Sequence, residues 1–210
     1  MAHYQRKDHF HQQAKADGYR SRAAYKLLEI QQAHRLLRSG QRVVDLGCWP
    51  GGWLQVAASA VGPSGRVVGV DVTPLENPFE NENVIAIEAD LAEVALSQRI
   101  HEILGGAADL LLCDAAPKLS GIRVADRARE GALLEAVEVL VAQLLRPGGD
   151  LLLKLLDCPE ADAVARRLSR CFEQAKTLKP QATRPGSRER YLLGRRWIAR
   201  AQTGRDARPQ

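Results

Sequence analysis

Three stretches of the chain carry residue types that could do chemistry together. The first is Val43–Trp53, VVDLGCWPGGW, where two valines lead through Asp45 and Leu46 into a turn holding Gly47, Pro50, Gly51 and Gly52. An apolar helical pattern follows. A buried strand, a glycine loop and a helix N-terminus let main-chain N–H groups and the positive end of a helix approach a ligand closely. The spacing is not that of the dinucleotide loop G-x-G-x-x-G, because Trp49 stands in place of the second glycine. The second stretch is Val67–Asp71, an apolar run whose terminal acid lies twenty positions beyond Gly51. An acid there can bind the ribose hydroxyls of a nucleoside. The third is LLLKLL, in which Lys154 interrupts an apolar run. A lysine is rarely fully buried unless it is paired, although one near a strand end can also snorkel to solvent and do nothing. Asp114, in Asp114-Ala115-Ala116-Pro117 at the end of another apolar run, is a suitable partner. A cation beside a carboxylate at the rim of a nucleoside pocket is a catalytic candidate.

These residues need a frame that brings strand ends together. The pattern predicts helices over 3–18 and from Ser21, as N-cap, to Gly40, then a strand at Arg42–Leu46. A helix over 52–60, a strand over 66–70, a proline-bearing loop and a strand over 84–88 follow. The next helix is expected over 91–104 and a strand over 109–113, all apolar as a doubly covered parallel strand reads. A long helix reaches about residue 145, where Pro147-Gly148-Gly149 ends it. Strand 150–156, helix 160–174 and strands 175–178 and 191–200 complete the chain, with a tail beyond 201 expected to be disordered. Alternation of strand and helix demands a mostly parallel sheet with helices on both faces. The last two strands, with no helix between them, should form an antiparallel hairpin. The expected fold is therefore α/β, Rossmann-like and seven-stranded. Asp45, Asp71, Asp90 and Asp114 would all lie at strand ends.

Composition narrows the function. At 210 residues the chain supports one good core. It shows no signal peptide and no apolar run of membrane-spanning length, so a cytoplasmic protein is the default. Cys48, Cys113, Cys158 and Cys171 form no C-x-x-C pair, so neither a metal site nor a disulfide framework is expected. The net charge of +5 conceals an asymmetry: residues 1–42 carry +6, 43–178 carry −8 and 179–210 carry +7. Two basic ends around an acidic middle suit a polyanionic partner, if the fold brings those ends together.

Taken together, Tyr19–Ile30, Val43–Trp53, Asp71, Asp90, Asp114–Gly121, Pro147–Lys154 and Ser187–Tyr191 resemble the FtsJ-type ribose 2′-O-methyltransferases over about residues 19–200. The resemblance implies a Rossmann-like methyltransferase domain over 1–200, with residues 1–40 as a basic helical RNA-binding extension. It implies S-adenosyl-L-methionine as cofactor, held by Gly47, Gly51, Trp53, Asp71, Asp90 and Asp114. It places a catalytic Lys-Asp-Lys-Glu tetrad on Lys26, Asp114, Lys154 and Glu189, with Lys154 as proton acceptor. Arg20, Arg22, Arg184 and Arg188 become RNA-binding candidates. The implied substrate is a uridine ribose of large-subunit (23S) ribosomal RNA in the assembled or late-assembling subunit, and a monomer is expected. A transfer RNA 2′-O-methyltransferase, a non-catalytic RNA-binding assembly factor and a small-molecule methyltransferase are the alternatives. Two departures stand out: Lys118 replaces the family's usual asparagine, and Cys48-Trp49 precedes Pro50 where alanine or serine is commoner.

Overall fold

Side chains alternate across a strand, so a strand covered on both faces must be apolar at every position. This chain has four nearly continuous apolar runs, broken inside only by Asp45 and Lys154, and each is a neighbour of another. The computed structural model describes residues 9–198 apart from 119 and 185. Its elements are α1 (His9–Ala16), α2 (Ala24–His34), β1 (Arg42–Leu46), α3 (Gly52–Val61), β2 (Arg66–Asp71), β3 (Val84–Glu88), α4 (Leu96–Leu104), β4 (Ala108–Cys113), α5 (Arg123–Leu144), β5 (Leu145–Leu156), α6 (Pro159–Ser169), β6 (Phe172–Leu178) and β7 (Glu189–Trp197). One seven-stranded sheet has the order β3-β2-β1-β4-β5-β7-β6. The first five strands are parallel, and β7 runs antiparallel to both β5 and β6. The order reverses between β1 and β4, which opens a crevice at the carboxyl ends of the strands.

The alternation sorts the core into two layers. Val44, Val68, Leu111, Leu151 and Leu153 face α4, α5 and α6. Val43, Val67, Leu110, Leu112, Leu152 and Leu193 face α2 and α3. The expected sheet, hairpin and two-faced helix cover are thus present.

Several boundaries differ from expectation, each for a local reason. Residues 1–8 of the first expected helix, and the tail expected beyond 201, lie outside the described residues. Ser21 does not cap α2. Residue 23 is the cap position, no side chain bonds there, and the Ser21 hydroxyl packs on Gly52 instead. Helix α4 starts only at Leu96 because Asp90 Oδ1 accepts the Ala92 N–H at 2.9 Å and fixes a turn. Helix α5 passes directly into β5, since Leu145 already pairs with Ala108 and a register shift absorbs Pro147-Gly148-Gly149. Helix α6 ends at Ser169 because Phe172 is drawn into β6, where its ring meets Trp197 at 5.1 Å. Strand β7 begins at Glu189, which pairs with Leu156.

The N-terminal helices are fastened to this frame by hydrogen bonds and ring contacts. Trp53 Nε1 donates to the Ala23 carbonyl at 2.8 Å, and its ring lies 5.9 Å from that of Tyr191. Trp53→Phe keeps a ring there but leaves the carbonyl without its donor. We expect a loss of about 1–3 kcal/mol, read as a lower urea midpoint with an unchanged slope.

Candidate active site

Three strands deliver side chains to one point because their alternation is in phase. Leu110 and Leu112 face α2 and α3, so Asp114, two residues further, faces the same way. Lys154 follows Leu152 in the same manner. Directly opposite residues of an antiparallel pair share a face. Tyr191 is opposite Lys154, and Glu189 is two positions from Tyr191. Lys26, on the inner side of α2, meets them from above. In detail, Lys154 Nζ lies 3.2 Å from Asp114 Oδ1 and also donates to the Asp114 main-chain carbonyl. The Tyr191 hydroxyl donates to the same Asp114 Oδ1 at 2.7 Å. Lys26 Nζ pairs with Glu189 Oε1 at 2.7 Å and stands 5.8 Å from the centre of the Tyr191 ring. Both lysines are 9% exposed. Burial, then the charges of Asp114 and Glu189 and the bond to Asp114, hold the Tyr191 phenol well above its ordinary range. It stays protonated and serves Asp114 as a donor. Nothing in the sequence assigned Tyr191 a role; its place opposite Lys154 is a matter of register.

The glycine loop lies beside this cluster. Gly47 has φ +77°, and a Cβ there would be 2.5 Å from the Ala115 backbone, so only glycine lets the β1 and β4 loops close together. Gly51 has φ +108° and forms the cap position of α3, where no side-chain hydrogen bond occurs. Asp71 accepts the N–H of Trp49 at 3.0 Å on Oδ2 and that of Thr73 at 2.8 Å on Oδ1. It therefore shapes the loop as well as presenting a carboxylate to it. Asp90 is exposed at the end of β3 and turns its own chain.

Asp45 is the sharpest electrostatic feature. It is fully buried, and neither carboxylate oxygen has a hydrogen-bond partner. Burial first, then Asp114 and Asp71, push it well above the usual carboxylate range. A cluster of acids under an uncapped helix N-terminus and positive-φ glycines fits a cationic nucleoside such as S-adenosylmethionine. Asp71 and Asp90 suit its hydroxyls, and the Asp114 carboxylate suits its positive charge.

The other expected residues separate into groups. The Trp53 side chain is buried as a brace for α2, leaving only its backbone at the loop. Arg20 stacks on Phe79, 4.0 Å from the ring centre, above Gly51 and away from the remaining arginines. Arg22 and Arg184 line an open cleft of about 500 Å³ together with Lys26, Ser187 and Glu189. Arg188 lies across the loop in a second cleft. Lys118 is exposed, its carbonyl held by Arg129 at 3.1 Å. Among the described residues, no group of His, Cys, Asp or Glu could hold a metal ion, and no helix is long and apolar enough to cross a membrane.

A sheet of this order, with a glycine loop after β1 and acids at the ends of β2 and β4, defines an S-adenosylmethionine-dependent methyltransferase. The solved fold of a putative ribosomal RNA methyltransferase from Plasmodium falciparum superposes with a TM-score of 0.74 at 27% identity, covering 87% of this chain and 100% of that one. Fibrillarin from Aeropyrum pernix, solved with natively bound S-adenosyl-L-methionine, shares the fold at a TM-score of 0.60 and 17% identity, covering 84% of this chain and 75% of that one. Residues 19–197 match the FtsJ-like methyltransferases, and the chain belongs to that family. It is 48% identical over 189 residues to the ribosomal RNA large subunit methyltransferase E of Alkalilimnicola ehrlichii, across 90% of this chain and 89% of that protein. The same-named protein of Methanothermobacter thermautotrophicus is 42% identical over 190 residues, 90% of each.

The state of Asp45 gives a pH signature. An unfolded aspartate titrates near ~3.9, and the folded carboxyl titrates well above this. Its contribution to stability is thus full below the unfolded value and is lost as pH rises through the folded one. Asp45→Asn removes that slope. Without cofactor, the wild type should lose stability relative to the variant between pH 4 and neutrality, by about 1–3 kcal/mol. Urea unfolding of both proteins at matched pH checks this, and parallel curves would exclude it.

Proposed function

We propose that this protein methylates a ribose 2′-oxygen of large-subunit (23S) ribosomal RNA, with the Lys26–Asp114–Lys154–Glu189 tetrad as its catalytic group. The observation that carries the reading is the convergence of Lys154, Asp114 and Tyr191 beside the glycine loop, with Lys26 and Glu189 on the wall of a basic cleft. S-adenosylmethionine supplies the electrophilic methyl group when bound. Gly47, Gly51, Asp71, Asp90 and Asp114 would hold it, with Trp53 contributing only its backbone. The protein's own work is positioning and charge balance. In its free-amine form Lys154 Nζ takes the proton leaving the 2′-hydroxyl, and Asp114 balances the ammonium that results. Tyr191 holds Asp114 in place through its hydroxyl. Lys26 and Glu189 orient the ribose from the cleft side.

The RNA lies across residues 1–40 and the 184–188 loop, bound by Arg22 and Arg184, with Arg188 on the far side of that loop. A uridine in the assembled or late-assembling subunit, acted on by a cytoplasmic monomer, is the finer form of this reading. The names of the relatives support only the coarser part, large-subunit ribosomal RNA rather than transfer RNA as substrate. Labelled S-adenosylmethionine incubated with large subunits, free ribosomal RNA or transfer RNA tests the substrate, and label appearing only on transfer RNA would overturn it.

Two further outcomes are expected. Lys154→Met should fold, bind S-adenosylmethionine normally and lose a factor of ~10²–10⁴ in single-turnover rate. Lys154→Arg should fail as well, because a guanidinium does not accept a proton at neutral pH. Normal turnover in either variant would make Lys154 structural. RNA affinity should fall steeply with salt, and Arg22→Glu or Arg184→Glu should weaken it while cofactor affinity, measured by calorimetry, is unchanged.

A further inference from the structure

A second cleft, about 770 Å³, lies between the start of α5, the turn after β5 and the loop before β7. Its most informative residue is Glu130, which the chemistry above does not use. Glu130 is 4% exposed. Its Oε1 accepts the Leu156 N–H at 3.1 Å, and its Oε2 has no partner. The acids around the mouth are already engaged: Asp126 accepts from Ser120 and Gly121, and Asp157 pairs with Arg190 at 3.1 Å. Arg127 is locked by two bonds to Glu160, at 3.0 and 2.7 Å. Val124, Leu156 and Pro159 offer apolar contact, and the exposed Arg123 and Arg188 stand at the rim. Ser187 lines both this cleft and the one holding Lys26 and Glu189, so the two lie on either side of one loop.

We propose that this cleft is a second nucleotide subsite, which takes a guanine base of the substrate strand next to the nucleotide being methylated. The inference rests on RNA being the substrate. A buried carboxylate oxygen without a donor is costly, and the ligand that relieves it must present N–H groups. Guanine presents two adjacent ones, N1–H and N2–H, on its Watson–Crick edge. Uracil presents a single N–H flanked by carbonyl oxygens that a carboxylate repels. The apolar walls suit the faces of a base, and the rim arginines suit its phosphate. Burial pushes the Glu130 carboxyl up, while the Leu156 N–H and Lys154 oppose that shift. A donor edge would add to the ionised side.

The test uses the full chain saturated with S-adenosylhomocysteine, titrated with guanosine 5′-monophosphate and uridine 5′-monophosphate, and followed by amide NMR shifts. Guanosine monophosphate should move the amides of Gly131, Leu156 and Cys158 and bind about tenfold more tightly than uridine monophosphate. Glu130→Gln is isosteric but offers an NH₂ to the donor edge, and should abolish that preference. Arg188→Glu, at the exposed rim, should weaken both nucleotides and serves if Glu130→Gln does not fold. Equal binding of the two nucleotides overturns the proposal. So does a preference untouched in the Gln variant, or shifts confined to the Arg22–Arg184 cleft. The two readings fail separately: labelled subunits without these shifts would remove the subsite alone, and these shifts with no transfer to any RNA would remove the substrate assignment alone.

Discussion

One carboxylate ties the buried Lys-Asp-Lys-Glu cluster to the fold. Asp114 receives the Tyr191 hydroxyl, Lys154 Nζ and, through its own carbonyl, a second bond from the same lysine. These partners come from β4, β5 and β7, and they meet because all three strands are in phase. A slip of one residue in the β5–β7 pairing would turn every side chain of one strand to the opposite face. Lys154 would then no longer face Tyr191. The hairpin that inserts β7 between β5 and β6 is therefore as much a part of the site as the glycine loop.

The same convergence creates an electrostatic problem whose solution is chemical. Asp45, Asp71 and Asp114 repel one another at the open end of the sheet, and Asp45 is buried without a donor. Such an arrangement weakens the fold in isolation. The N-terminus of α3 and Lys154 offset part of this repulsion, and a cationic ligand would offset more. Acids that would be a liability in a purely structural core are suited to a cationic ligand.

The basic ends of the chain are joined by bonds that have little to do with catalysis. Glu29 accepts the N–H groups of Gln181 and Ala182, at 2.8 and 3.1 Å, and Arg22 donates to the Ala182 carbonyl at 2.6 Å. Arg195 reaches the His34 carbonyl at the end of α2. Helix α2 is thereby pinned over the β6–β7 edge, and the Lys26–Glu189 pair closes between them. The cleft between α2 and the 184–188 loop is the product.

Much of this was legible before any coordinates. Apolar runs flanked by glycine gave the order of strands and helices, because burial on two faces leaves a strand no polar positions. Lys154 is conspicuous as the one cation inside such a run, and Gly47, Gly51 and Asp71 are conspicuous by spacing. Local sequence was less informative where a partner distant in the chain decides the outcome. The ends of α6 and β6 follow Phe172 to Trp197, and the start of α4 follows a side-chain turn at Asp90. Tyr191 closes the Ser187–Tyr191 motif, but its bond to Asp114 comes from standing opposite Lys154. The arginines look alike in sequence, yet tertiary packing sends Arg20 to Phe79, Arg22 and Arg184 to one cleft and Arg188 to another. The sequence by itself determined which strands are buried and which residue types could react. The fold alone decided which of them meet, because register and crossing connections, not spacing along the chain, set distances between side chains.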